Sequence, residues 1–198
     1  LNTIIHGDCL EVMPTIPGKV DMILCDLPYG TTACKWDVII PFEPLWKEYE
    51  RLIKDNGAIV LTASQPFTSL LITSNMRLFR YCWVWNKGKG ANFQLCKKQP
   101  LKITEDVCVF YKAMPIYNPQ GVQKLLTPIV QSNKNKAGKL GHLGSEKKRN
   151  CYLQEYTNYP TNELQFKLDG TLHPTQKPVA LFEYLIRTYT NPGDTVLD

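Results

Sequence analysis

No two of the seven cysteines stand in a Cys-x-x-Cys spacing, and their number is odd. Paired metal ligands or a secreted disulfide framework would need the opposite pattern. Cys25, Cys82 and Cys108 instead lie inside apolar stretches, as small core residues do. This usage points to a reducing compartment, with no disulfide framework and no zinc site. Apolar runs are short, and none approaches the roughly 18 residues of a membrane span. No signal-peptide pattern and no internal repeat is visible. Neither sign of charge dominates. The formal net charge is +5, which is modest yet compatible with a polyanionic partner. What is present is a chain of 198 residues, 43% hydrophobic, enough for one domain or a domain with an insertion.

Hydrophobic patterning gives the order of elements. Thr3–His6 reads as a short strand. Asp8 and Glu11, followed by Met13 and Ile16, read as a capping-box start to a short helix that Pro17-Gly18 ends. Met22-Ile23-Leu24-Cys25 is a continuous apolar run, the pattern of a strand buried on both faces. Residues 30–43 form a loop. Pro44 is expected to open a helix with Leu45, Tyr49, Leu52 and Ile53 on one face, stopped by Asn56-Gly57. Ala58–Leu61 is a buried strand, a helix runs through Phe67, Leu70 and Leu71, and residues 80–87 and 105–112 are aromatic and β-branched strands. Strands alternating with helices argue a mostly parallel α/β sheet with an antiparallel member near the end. Residues 113–170 break the pattern and read as an insertion, mobile at least over 132–150. Regularity returns at Pro178, which opens a helix with Leu181, Phe182, Leu185, Ile186 and Tyr189 on one face.

Asp26-Leu27-Pro28-Tyr29 follows directly on the first buried strand. Ligands of open α/β sheets bind outside the carboxyl ends of the strands. Asp26 and the Leu27 carbonyl are two acceptors, Tyr29 offers a stacking face, and Pro28 stiffens the turn. Together they suit a planar base bearing an exocyclic amine. The tetrapeptide resembles the Asp-Pro-Pro-Tyr signature of the DNA amino-methyltransferases. Leu27 departs from that signature, mildly, because in the family this position acts through its backbone oxygen.

Four more stretches resemble the same family in order. They are Ile5-His6-Gly7-Asp8-Cys9, Trp83-Val84-Trp85-Asn86-Lys87, His173-Pro174-Thr175-Gln176-Lys177-Pro178, and Asn191–Asp198. The resemblance implies a Rossmann-like methyltransferase sheet in the permuted, β-type arrangement, like orphan enzymes of phages and prophages. It divides the chain into a core at 1–112, a target-recognition insertion at 113–170 and a core continuation at 171–198. It implies transfer of methyl from S-adenosylmethionine to adenine N6 of a flipped base in double-stranded DNA, in a bacterial or phage-infected cytoplasm. Cofactor contacts fall to Asp8, His173, Thr175, Lys177 and Asp198, and the far side of the target base to Trp85 and Lys87. Asp8 is equally a helix N-cap, and Trp83 and Trp85 are equally same-face core residues.

Basic residues cluster at Lys134, Lys136, Lys139, Lys147, Lys148 and Arg149, against the single acidic residue Glu146. A second group is Lys87, Lys89, Lys97, Lys98 and Lys102. Such groups are solvated faces or phosphate contacts; the resemblance favours DNA contact by the insertion. Cytosine N4 presents the same two hydrogens and stays open as a target, as does a catalytically silent DNA-binding fragment. Methylation of RNA or a protein amide would put the cofactor loop before the tetrapeptide. No Pro-Cys dipeptide occurs, which counts against cytosine C5 chemistry. In the family a Gly-rich cofactor loop follows the position of Asp198. The natural protein is therefore expected to continue, and residues 1–198 alone to bind cofactor weakly or not at all and to be inactive.

Overall fold

The computed structural model describes residues 2–132, 151–169 and 175–198. It divides into two compact units, one made of Leu1–Asn118 with Thr161–Asp198, the other of Pro119–Pro160.

The larger unit is a six-stranded sheet with helices on both faces. Its strands are β1 (Val20–Cys25), β2 (Ile53–Ala63), β3 (Phe79–Ala91), β4 (Lys102–Phe110), β7 (Glu163–Gln165) and β8 (Val196–Leu197), ordered β7-β3-β4-β2-β1-β8. β1 runs parallel to β2 and β8, and β3 parallel to β7; β4 is antiparallel to both its neighbours. This is the mostly parallel Rossmann-like sheet with one antiparallel strand that the strand pattern and the resemblance implied. β7 comes from within 113–170, so that stretch contributes to the main sheet.

Alternation along the strands explains the two cores. Met22, Leu24, Ala58, Val60, Trp83, Trp85, Val107 and Val109 point to one face, against Leu181, Leu185 and Tyr189 of α4 (Val179–Tyr189). Ile23, Ile59, Leu61, Cys108 and Phe110 point to the other, against α2 (Phe42–Leu52) and α3 (Phe67–Ser74). The buried polar tips are paired, as such tips require. Trp83 Nε1 donates to Tyr189 Oη at 2.7 Å, and Tyr81 and Tyr189 share a hydrogen bond of 2.7 Å.

Three local readings need correction. Thr3–His6 is in no strand, and the apolar pair Ile4 and Ile5 is 99% and 56% exposed, packed into neither core. α2 begins at Phe42 with Pro41 at its cap, so Pro44 lies inside the first turn. Asn56-Gly57 does not end that helix, because Leu52 already does. Gly57 instead lies in β2, where the register against β1 slips between Val20 and Met22. A Cβ on Gly57 would stand 2.7 Å from the Asp21 carbonyl oxygen, so only glycine allows this approach.

The smaller unit pairs β5 (Gln123–Ser132) with β6 (Cys151–Thr157), antiparallel. Asn158, at φ 60°, ties back to Gly121 through Nδ2 to the carbonyl oxygen at 2.7 Å. Lys134, Lys136, Lys139, Lys147, Lys148 and Arg149, and the mobility expected near 132–150, fall outside the described residues, as does His173.

Candidate active site

The carboxyl ends of β1, β2 and β3 and the amino end of antiparallel β4 meet at one edge of the sheet. The same alternation that builds the core under α4 continues into polar residues there. Met22 and Leu24 lead to Asp26, Ala58 and Val60 to Thr62, Val109 and Val107 back to Glu105, and Trp83 and Trp85 to Lys87. Lys177, immediately before the Pro178 cap of α4, reaches the same place.

Asp26 is the focus. Its Oδ1 accepts from Tyr29 Oη at 3.0 Å and from Thr62 Oγ1 at 2.5 Å, and Lys177 Nζ stands 3.0 Å from it. All three described contacts fall on Oδ1, which leaves Oδ2 for an incoming donor. Lys177 also lies 3.5 Å from Glu105 Oε2 and 5.2 Å from the centre of the Tyr29 ring. Glu105 Oε1 is ion-paired with Lys87 at 3.0 Å. A chain of alternating charge, Lys87–Glu105–Lys177–Asp26, thus runs along the edge. Burial foremost, and then the charge of Asp26, push the Tyr29 phenol well above its ordinary pKa, so it stays protonated and donates. The Tyr29 ring stacks on Phe67, centroids 5.2 Å apart at 21°, which fixes its plane. The Leu27 side chain is buried in the core on the α2 side, so only its backbone is left to serve this edge of the sheet.

The following loop is braced by Asp37. Its Oδ1 accepts from the Gly30 N–H at 2.8 Å, and its Oδ2 from those of Thr31 at 2.9 Å and Thr32 at 2.7 Å. Burial raises its pKa, but hydrogen bonds from the Thr32 side chain and these three amides outweigh that and hold the carboxyl at about 2. Gly30 has φ +65°, a left-handed turn that glycine alone enters at no steric cost.

Asp8 caps the short helix α1 (Cys9–Val12), accepting from the Leu10 N–H at 2.8 Å through Oδ1. Asp198, after β8 and beside β1, has a carboxyl raised above its usual range, by desolvation first and the nearby charge of Asp26 second. Thr175 precedes Lys177 by two residues and is exposed.

Two expected base contacts are corrected. Trp85 is 1% exposed, packs under α4 and donates its Nε1–H to the Phe166 carbonyl at 2.9 Å. It is a core residue, as the alternative same-face reading held, and shows no face to a base. Lys87 is 8% exposed, its ammonium committed to Glu105. Thr62 and Glu105 join this cluster although the motifs do not mark them. A signal for them exists, since each is the polar residue that continues an alternating apolar strand at the ligand-binding edge.

A mostly parallel α/β sheet thus presents a strand-end carboxylate and a fixed aromatic plane together at one edge. The DNA methylase family of N6 and N4 enzymes matches residues 20–198, and the chain belongs to it. It is 30% identical to the DNA adenine methyltransferase YhdJ of Escherichia coli K12, over 99% of this chain and 70% of that protein. It is 25% identical to the type II methyltransferase M.HinfI of Haemophilus influenzae, over the whole chain and 58% of the relative. The crystal structure of M1.HpyAVI with SAM shares the fold at a TM-score of 0.60, with 24% identity, over 98% of this chain and 80% of that one.

Proposed function

We propose that this chain transfers a methyl group from S-adenosylmethionine to N6 of adenine in double-stranded DNA, on a base drawn out of the helix into the pocket of Asp26 and Tyr29. The observation that carries this reading is that, among the described residues, Asp26 is anchored through Oδ1, beside a ring whose plane Phe67 fixes. Extruding a base costs a few kcal/mol. Stacking on Tyr29 returns about 1–3 kcal/mol of it.

The amine is a poor nucleophile while its lone pair is delocalised into the ring. Asp26 Oδ2 and the Leu27 carbonyl oxygen accept its two hydrogens and draw the nitrogen towards a tetrahedral shape. Positive charge then grows on that nitrogen, and the Asp26 carboxylate is placed to stabilise it. Tyr29, Thr62 and Lys177 keep the carboxylate from turning, so little reorganisation is needed at the moment of transfer.

The cofactor carries a sulfonium and an ammonium. Asp198, after β8 and beside β1, suits those charges, and the acceptor Asp8 suits the cofactor's adenine amino group, so the residues present fit the group. When bound, it supplies an electrophilic methyl group. Asp8, with Oδ2 beyond its helix-cap bond, and Asp198 would hold it, with Thr175 and His173, which precede α4 in sequence. Lys177 is placed to serve both sides, through Asp26 and through the segment leading into α4. The target-recognition role of 113–170 and DNA contact by its basic residues belong to the same proposal. The name of the YhdJ relative supports adenine over cytosine.

Sequencing modified bases in DNA from cells expressing the complete gene tests this reading. N6-methyladenine at one short recurring site is the expected result. N4-methylcytosine, or unmodified DNA, would overturn it.

A further inference from the structure

The connection between β3 and β4 leaves the sheet at the same edge as Asp26. Its base is tied to that edge twice. Lys87 is ion-paired with Glu105 at 3.0 Å, and Lys102 Nζ donates to the carbonyl of Gln65, two residues past the end of β2, at 3.3 Å. From Lys87 to Lys102 the chain holds five lysines and no acidic residue. Asn92 adopts a left-handed φ of 63° and turns the chain into the 3-10 turn Phe93–Leu95. Phe93 is 75% exposed there, and residues 92–100 are exposed throughout. Gly90 lets the two limbs close, because a Cβ at that position would meet Leu101 Cβ at 2.9 Å. Folding thus gives this loop a tight stem and a tip that presents an aromatic ring among cations. That tip contributes nothing to the core.

We infer that this loop is a DNA-contact surface, in which Lys89, Lys97 and Lys98 bind backbone phosphates and Phe93 enters the base stack at the place the target nucleotide leaves. The inference rests on the reading of Asp26 and Tyr29 as the base pocket. It assigns a different part of the chain to the duplex that remains. A base drawn into that pocket leaves a gap between its neighbours. Apolar side chains fill or open such gaps by partly unstacking a base step. Lysines on either side would supply the sequence-independent, salt-sensitive share of binding. The charge of the loop, its position at the pocket edge and the exposure of Phe93 all fit a duplex.

The test uses protein from the complete gene, and duplex oligonucleotides in which the target base is either paired or mismatched. Phe93→Ala is expected to lower kcat/KM on the paired duplex about tenfold or more, and to lose far less on the mismatched one, because a mispaired base costs least to extrude. The double variant Lys97→Ala/Lys98→Ala should reduce the slope of log affinity against log salt by roughly 0.9 for each phosphate that is no longer neutralised. Both changes lie on exposed residues, so thermal unfolding should match the parent. Parental activity of Phe93→Ala on paired DNA, an equal loss on both duplexes, or an unchanged salt slope would each overturn the inference. Those failures leave methylation by the parent protein intact, whereas a failure of the functional reading itself appears as no methylation by the parent.

Discussion

At the scale of single residues, Asp37 decides the shape of the loop beside the pocket, since one carboxylate gathers the amides of three successive residues. Asp37→Ala should cost about 2–3 kcal/mol, because it leaves those donors without a charged acceptor. Its pH dependence follows from the lowered pKa. The folded value of about 2 lies below the ordinary 3.8, so its contribution is fully present above about pH 4. That contribution is lost as pH falls from about 4 through 2, and urea melts of the parent and of Asp37→Ala should converge over that window. Glu105 makes a second test. It sits between Lys87 and Lys177, and Lys87 is almost buried. Glu105→Gln should destabilise by about 3 kcal/mol by leaving a buried ammonium uncompensated. Adding Lys87→Met should recover much of that loss in the same melts. An additive double variant would show that the two side chains do not depend on each other.

At the scale of elements, β3 shows how one strand can be read correctly and its side chains still misassigned. Its aromatic, β-branched composition marks a strand from residues alone. Which face Trp85 takes depends on α4, whose Leu181, Leu185 and Tyr189 arrive from the far end of the chain. Trp85→Ala should therefore act as a core cavity, costing about 3–5 kcal/mol of stability. The buried run before Asp26, the Pro178 entry of α4 and the Asp8 cap were legible because each is a local pattern with a local cause. The bulge at Gly57 was not, because a glycine after an asparagine signals a stop as readily as a close approach, and only the Asp21 carbonyl decides between them. β5 and β6 were illegible for another reason. Leu126, Val130, Tyr152 and Leu153 are exposed, so no alternation between buried and solvent positions marks these strands.

At the scale of the whole molecule, chain order and the edge of the sheet assemble the candidate site. Strands far apart in sequence bring Asp26, Thr62, Glu105 and Lys87 into one row, and the residue before the cap of the last helix, Lys177, joins them. The tetrapeptide and its position were legible in the sequence. The charge chain behind it was not, because single polar residues in apolar strands acquire meaning only once the strand order is known. The basic segment around Lys147, Lys148 and Arg149 belongs to the proposed recognition function. Neutralising these three should flatten the salt dependence of DNA binding by about 0.9 for each phosphate they had neutralised, with cofactor affinity unchanged. An unaltered slope would assign them to a solvated surface.

Methyl transfer by Asp26→Asn bears most directly on the central claim that this carboxylate acts on the target amine. Labelled S-adenosylmethionine, duplex DNA and protein from the complete gene suffice for the measurement. Transfer should fall by about 10²–10³-fold, the scale of removing one preorganised group opposite a developing charge. DNA retention and thermal unfolding should stay near those of the parent, because Asp26 lies exposed just past the end of β1 and contributes to neither core. Transfer by Asp26→Asn at the parental rate would contradict that role for the carboxylate.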